Sequence, residues 1–274
     1  MRYLLAAAML VLASVRPAPA MPQRIVSINV CTDQLLMALV EPERIASVSF
    51  LAADPATSVR WRQAAALHLN HGRAEEIMAL QPDLVVAGTY AARATASILK
   101  KLGYTLLELR PAASIQDIRD NLLTLGQATG SLNQARKLID VFDQRLERLR
   151  YPAEGTRKLF VNYALNGWTS GTGTLVADLA HHAGFDVAGD RLGFQGLGNV
   201  SLERLILLSP DLIDLGNDWA DPPSLASQSQ GHPALQSLLQ RTAQVSVDEP
   251  LWSCGTPWTL DALAQLRQAR DALE

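Results

Sequence analysis

The sequence predicts an α/β protein of two lobes, with mainly parallel sheets flanked by helices and a long rigid helix joining the lobes. A unit of a helix, a Pro-Asp break and a strand occurs at residues 75–86 and again at residues 203–214, an offset of 128 residues. In both halves of the chain, apolar runs typical of strands alternate with helical stretches, which indicates parallel sheets covered on both faces. Between the halves lies a long amphipathic stretch without a strand.

The first 20 residues have the features of a secretory signal peptide. Arg2 precedes an apolar run from Leu4 to Val15, and an A-x-A cleavage motif ends at Ala20. The run is shorter than the roughly 20 residues that a membrane-spanning helix needs. A lipoprotein needs a cysteine at the cleavage point, and Cys31 comes too late for that role. We therefore expect cleavage after Ala20 and a periplasmic mature protein.

The first lobe is predicted to comprise residues 21–130. The expected strands of this lobe are residues 24–28, 44–48, 84–87 and 105–109. The expected helices are residues 33–39, 74–80 and 92–102. The run at 84–87 is apolar without alternation, which is typical of a strand buried on both faces.

The middle of the chain is predicted to be helical throughout. Ser114 and Asp117 form a capping box that starts a helix with one apolar stripe. After Gly130 a second helix follows, and its roughly 18 residues would span about 27 Å. We predict that residues 131–152 form the rigid helix that joins the lobes.

The second lobe is predicted to comprise residues 153–274. Its expected strands are residues 158–163, 211–215 and 243–247. Its expected helices are residues 174–182, 201–207, 234–239 and 257–272, the last with Pro257 at its first position.

Charge and cysteine content exclude two classes of protein. The formal net charge is −3 and 19% of residues are charged, which leaves no basic surface for nucleic acid. Two cysteines permit one disulfide at most, so the chain is not a cysteine-stapled scaffold. We expect a monomer without a cofactor.

Aromatic and polar residues are concentrated in the loops where ligands bind in open parallel sheets, beyond the carboxyl ends of the strands. Amphipathic rings suit a large, partly apolar ligand, although each ring can also serve to pack its own loop. The predicted ligand-binding residues are Asn29, Cys31, Thr32, Phe50, Tyr90, Trp168, Trp219, Trp252 and Cys254.

Three features of the sequence resemble those of a known family: the stretch from Arg24 to Ser27, the two Glu-x-(Ile/Leu)-x-x-Leu-x-Pro-Asp units and the strandless helical middle. The family is that of the periplasmic binding proteins that include the vitamin B12 and ferric-siderophore carriers. The resemblance covers essentially the whole mature chain. It implies a non-catalytic component of an ABC importer that binds a metal chelate, either a ferric siderophore, cobalamin or haem. The loop at residues 70–72 lacks the tryptophan that the B12 carrier places nearby.

The resemblance also implies a protein partner, the ABC permease at the inner membrane. The family's surface glutamates, which meet permease arginines, match Glu75 and Glu203 here. The alternative is that both carboxylates only stabilise the first turn of a helix through its macrodipole.

Two other functions remain open from the sequence. Cys31 and Cys254 could serve a periplasmic enzyme or redox protein as reactive or metal-binding thiols, form a disulfide that joins the lobes, or stay as separate free thiols. A direct metal-ion binder would use histidines, of which the pairs His68/His71 and His181/His182 are the candidates, but no cysteine or carboxylate lies at ligand spacing.

Overall fold

The first lobe is built on a five-stranded sheet with the order β3-β2-β1-β4-β5, in which all neighbouring strands are parallel. Its strands are β1 (Ile25–Ser27), β2 (Ile45–Ser49), β3 (Leu69–Asn70), β4 (Leu84–Gly88) and β5 (Leu106–Leu109). Its helices are α1 (Val30–Leu39), α2 (Trp61–Ala64), α3 (Ala74–Ala79) and α4 (Arg93–Lys101). The central strand β1 is completely buried, which confirms the predicted parallel sheet covered on both faces.

This computed structural model describes residues 21–216 and 231–274. The predicted signal peptide and Trp219 therefore lie outside the described residues. Within the described ranges, no helix combines the length and apolar character that crossing a membrane requires.

The second lobe has a four-stranded parallel sheet with the order β11-β10-β6-β8 and a separate antiparallel pair, β7 with β9. Its strands are β6 (Lys158–Asn162), β7 (Trp168–Ser170), β8 (Phe185–Val187), β9 (Leu197–Asn199), β10 (Leu212–Asp214) and β11 (Ala243–Val245). Its helices are α7 (Leu175–His182), α8 (Ala188–Arg191), α9 (Leu202–Leu208), α10 (Pro233–Leu239), α11 (Glu249–Trp252) and α12 (Thr259–Asp271).

The strandless middle consists of two helices, α5 (Ile115–Thr129) and α6 (Leu132–Leu149), which pack against each other. The hydroxyl of Ser114 accepts the N–H of Asp117, as the capping box predicts. Helix α6 has the expected 18 residues. It also contacts α12, which in turn contacts α7, so the C-terminal helix connects the middle to the second lobe. The boundaries of the lobes at residues 130 and 152 stay a prediction.

The repeated Pro-Asp unit has the same structural role in both lobes. The Asp83 carboxylate accepts the backbone N–H groups of Gln23 (2.6 Å) and Arg24 (3.0 Å), where β1 begins. The Asp211 carboxylate accepts the N–H of Leu159 (2.7 Å) in β6. Each aspartate also donates its own N–H to the carbonyl of Arg24 or Leu159. The repeat therefore marks the point where a helix ends and the next strand joins the central strand of its lobe.

Several element boundaries differ from the prediction. Helix α1 begins at Val30 rather than Asp33, because the Asn29 side chain caps it. Helix α12 begins at Thr259 rather than Pro257, since the N–H of Thr256 bonds to the Thr259 hydroxyl in the preceding turn. The elements that the sequence missed have only two to four residues, too few to show a period; they are α2, β3, β7, β8, α8, β9 and α11.

Candidate functional site

Three cavities meet around one short stretch of chain, residues 248–255, which we call the bridging segment. The first-lobe cavity has a volume of about 130 Å³ and the second-lobe cavity about 370 Å³, and Ser253 lines both. A third cavity of about 560 Å³, the outer groove, lies between residues 55–61 and the bridging segment, and it shares Glu249 with the second-lobe cavity. The first-lobe and second-lobe cavities lie at the carboxyl ends of the strands and adjoin at Ser253, and we call these two cavities the interlobe cleft; the outer groove lies beside them.

In the first lobe, two of the predicted ligand-binding residues shape the loop after β1. The Asn29 side-chain oxygen accepts the N–H groups of Cys31 (3.1 Å) and Thr32 (3.3 Å), which starts α1. The Thr32 hydroxyl donates to the carbonyl of Asn29 (2.9 Å), and its side chain is buried. Both residues line the first-lobe cavity, together with Cys31.

The two predicted aromatics of the first lobe have different positions. Tyr90 lines the first-lobe cavity and is 73% exposed, so its ring is available to a ligand. Phe50 is stacked on His71, with ring centroids 5.0 Å apart, and it is absent from the lining of the three cavities. Tyr90 is therefore the better placed of the two rings.

Cys31 and Cys254 form a disulfide that connects α1 of the first lobe to the bridging segment. Their Cα atoms are 5.0 Å apart, within the range that a disulfide requires. Next to it, a Cβ on Gly255 would lie 2.2 Å from the Cβ of Ala112, so only glycine permits this close approach to the first lobe. Of the three possibilities for the cysteines, the structure shows the disulfide, and in this state neither sulfur is a free thiol.

In the second lobe, Trp168 and Trp252 both line the cavity but differ in exposure. Trp168 is 47% exposed, whereas Trp252 is 4% exposed and donates its indole N–H to Glu249 (3.2 Å). Trp168 follows a turn in which Asn166 and Gly167 both have positive φ. A Cβ on Gly167 would lie 2.3 Å from the carbonyl oxygen of Val200, so the turn that presents Trp168 needs glycine there.

Sequence reasoning missed two acidic residues in the second-lobe cavity, Asp214 at the end of β10 and Glu249 at the start of α11. Burial raises the pKa of Asp214 to about 6, and the charge of Glu249 acts in the same direction. Hydrogen bonds from the backbone N–H groups of Val247 and Gly216 oppose this shift. The signal available in the sequence was their position at or beside the strand ends whose loops contain the aromatics.

A buried carboxylate also lies behind the first-lobe cavity. Asp33 is in the first turn of α1, as predicted, but it is completely buried and accepts the N–H and the hydroxyl of Ser49. Burial raises its pKa to about 7, against hydrogen bonds from Ser27 and Ser49 that lower it. Asp33 therefore joins α1 to the end of β2.

The raised pKa of Asp33 predicts a pH dependence of stability. Between its ordinary value near 4 and about 7, the folded protein holds a proton on Asp33 that the unfolded chain releases, so the free energy of unfolding falls as pH rises through this window. Asp33→Asn keeps an acceptor oxygen for Ser49 and removes the titration. Denaturant unfolding at pH 5 and pH 8 should show a smaller loss of stability in Asp33→Asn than in the wild type. An equal loss in both proteins would contradict this role.

Glu75 and Glu203 lie in the first turns of α3 and α9, the helices of the repeated unit. Both are exposed. In the first lobe it is the neighbouring Glu76 that accepts the N–H of His71 (2.8 Å), and among the described residues none bonds to the Glu75 carboxylate. The pKa of Glu203 is lowered by its own backbone N–H and by the Ser201 hydroxyl. The two carboxylates thus occupy equivalent outward positions.

Three of the four candidate histidines, His71, His181 and His182, lie close to carboxylates, His71 at 3.6 Å from Glu76. His181 lies 2.8 Å from Asp190, and His182 lies 3.9 Å from Asp178. Burial lowers the pKa of His182, and the neighbouring Asp178 opposes that shift. Across residues 21–216 and 231–274, no group of three or more His, Cys, Asp or Glu side chains is placed to hold a metal ion.

This architecture matches a known family. A sequence profile described as periplasmic binding protein matches residues 25–238. The chain belongs to the periplasmic binding protein family. Membership confirms the resemblance found in the sequence, and the family is one of binding proteins.

Two curated proteins illustrate the relationship of this periplasmic binding protein to others. A cobalamin-binding protein of Halobacterium salinarum is 24% identical over 199 residues, 71% of this chain and 54% of the relative. The iron-uptake system-binding protein of Bacillus subtilis is 25% identical over 202 residues, 68% of this chain and 61% of the relative. The chain therefore spans little more than half the length of these relatives.

Solved structures share the fold over nearly the whole chain. The periplasmic heme-binding protein RhuT from Roseiflexus sp. RS-1 superposes with a TM-score of 0.76 at 22% identity, covering 92% of this chain and 99% of that one. The periplasmic vitamin B12 binding protein BtuF of Vibrio cholerae superposes with a TM-score of 0.70 at 20% identity, covering 92% and 98%. These similarities confirm the predicted α/β fold of two lobes.

Proposed function

We propose that this protein is the substrate-binding component of an ABC importer. It captures a metal chelate in the interlobe cleft and delivers it to an inner-membrane permease. The observation that carries the proposal is the cleft itself, in which cavities at the strand ends of both lobes meet at the bridging segment. Relatives named for cobalamin, iron uptake and heme support a ferric siderophore, a corrinoid or haem as the ligand class.

Binding rather than catalysis fits the chemistry of the site. The two cysteines that would have served an enzyme or redox protein are joined in a disulfide. The chelate is cargo and not a resident cofactor. The A-x-A motif ending at Ala20 supports export with cleavage at that point and a periplasmic mature chain, which we expect to be monomeric.

Ligand titration tests the proposal directly. Cyanocobalamin, hemin and a ferric hydroxamate chelate are added separately to the purified protein, and tryptophan fluorescence is recorded. We expect at least one chelate to quench the fluorescence saturably, because Trp168 and Trp252 line the second-lobe cavity. If none of the three binds, the proposed function is wrong.

Trp168 is expected to contribute most among the aromatic residues that the structure describes in the cleft. Its ring is half exposed in the unliganded cavity, so a bound chelate can cover it without moving core residues. Trp168→Ala should weaken binding by about 1–3 kcal/mol, measured by titration. Trp168→Phe, which keeps a ring, is the control and should retain most of the affinity.

An unchanged affinity in Trp168→Ala, with the fold intact by circular dichroism, would remove this residue from the site.

Trp252 needs a more conservative substitution. Because it is 4% exposed, Trp252→Ala would leave a core void that costs about 3–5 kcal/mol of stability. Trp252→Phe is the variant that tests its contact with the ligand.

A further inference from the structure

The lining of the second-lobe cavity combines aromatic and apolar side chains with two acidic side chains. Trp168, Leu165 and Leu197 provide apolar surface, while Asp214 and Glu249 are its charged groups. At neutral pH Asp214 is ionised, because its raised pKa of about 6 still lies below the pH of the solution. The cavity therefore presents two carboxylates to whatever occupies it.

Both carboxylates keep acceptor capacity for a ligand. The Asp214 carboxylate accepts the backbone N–H groups of Val247 (3.1 Å) and Gly216, and one Glu249 oxygen accepts the indole N–H of Trp252 (3.2 Å). A carboxylate has about four lone-pair sites, more than these backbone and indole donors use. The protein donors hold the two side chains in place without neutralising their charge.

The part of the cavity that the structure describes has no cationic side chain to balance these charges. Among the described residues that line the second-lobe cavity there is neither lysine nor arginine. Along this described lining, a cationic ligand group would supply the missing countercharge.

We infer that the second-lobe cavity selects chelates whose edge is cationic or rich in N–H donors, such as amide or ammonium groups, and rejects chelates that present carboxylates. A carboxylate edge would meet two like charges in a partly desolvated cavity, where electrostatic repulsion is stronger than in water. An amide or ammonium edge would instead donate to Asp214 and Glu249. The inference rests on the proposed function and narrows its ligand class.

Two pairs of probes with the same core and different edges test the inference. Dicyanocobinamide carries amides, whereas dicyanocobyrinic acid carries carboxylates on the same ring. Ferrioxamine B carries an ammonium group, and its N-succinyl derivative ends in a carboxylate. In at least one pair, the amide or ammonium probe should bind about tenfold or more tightly than its carboxylate counterpart.

Two variants of the protein locate the origin of the preference. Asp214→Asn and Glu249→Gln each keep an acceptor oxygen, so neither should disrupt the fold. Each should lower the ratio of the affinity for the amide or ammonium probe to the affinity for its carboxylate counterpart by about fivefold or more. Asp140→Asn is the control, since Asp140 is exposed on α6 and lines none of the three cavities. It should leave the preference unchanged.

The outcomes separate the inference from the proposed function. Equal or tighter binding of the carboxylate probes, or hemin as the tightest ligand, would overturn the inference and leave the proposed function standing. A preference that survives in both Asp214→Asn and Glu249→Gln would also overturn it. Failure of every probe and of hemin to bind would overturn both.

Discussion

Replacing Cys31 and Cys254 together with serine is expected to lower the free energy of unfolding by about 2–5 kcal/mol. The disulfide closes a loop with a sequence separation of 223 residues, so its loss releases much conformational freedom in the unfolded chain. For a protein of this size, the expected fall in Tm is about 4–20 °C. Thermal unfolding followed by circular dichroism measures it.

Reduction provides the control for this substitution. A phosphine reductant should lower the Tm of the wild type toward that of the double serine variant, and it should leave the variant unchanged. If the two proteins have the same Tm and the reductant does not change the Tm of the wild type, the disulfide does not stabilise the fold.

The disulfide is also expected to preorganise the cleft for ligand binding. It fixes the bridging segment, which borders all three cavities, to α1 of the first lobe. The double serine variant should therefore release its chelate faster than the wild type at a temperature where both are folded, because an untethered segment must be ordered again on binding. Equal dissociation rates of the two proteins would show that the disulfide contributes to stability and not to ligand retention.

Changing Glu75 and Glu203 together to lysine is expected to reduce transport in cells by about tenfold or more while ligand binding stays nearly intact. The two carboxylates lie outward on equivalent helices of the two lobes, where paired arginines of a permease would fix the orientation of docking. If docking buries these charge pairs, losing one partner of such a hydrogen-bonded pair costs about 2–5 kcal/mol. Uptake of radiolabelled chelate and titration of the purified protein provide the two measurements.

A charge-matched control separates docking from overall charge. Glu43 and Glu154 are exposed, one in each predicted lobe, and changing both to lysine alters the net charge equally. This control should transport normally, and the single variants Glu75→Lys and Glu203→Lys should be intermediate. Both carboxylates are exposed, so their loss should leave the fold intact by circular dichroism. Normal transport in the Glu75/Glu203 double variant, or loss of chelate binding in it, would contradict the docking role. The two glutamates would then only stabilise the starts of their helices.

The sequence by itself determined the order of the long elements and the repeat of the two lobes. These features follow from local patterns, because a helix or strand that buries one or both faces must repeat its apolar residues with a fixed period. The role of Asp83 and Asp211 was readable as a repeated break between helix and strand, and the structure adds that each carboxylate binds the backbone of the neighbouring strand.

The candidate site was only partly predictable. Tyr90 and Trp168, both predicted from strand-end positions, line cavities there, and their role in ligand binding stays a prediction. Asp214 and Glu249 were missed because each has an ordinary local explanation, the end of a strand or the start of a helix. Their shared cavity depends on the tertiary placement of two segments that are far apart in the chain.

Only the tertiary structure decided which cysteines pair and which rings are exposed. A disulfide needs Cα atoms within about 7 Å, and no local pattern reports a distance between Cys31 and Cys254. Trp168 and Trp252 were predicted in the same kind of strand-end loop, yet one begins a strand and is 47% exposed whereas the other ends a helix and is 4% exposed. The difference arises because exposure is set by contacts with segments distant in sequence, whereas periodicity records only which face of an element turns inward.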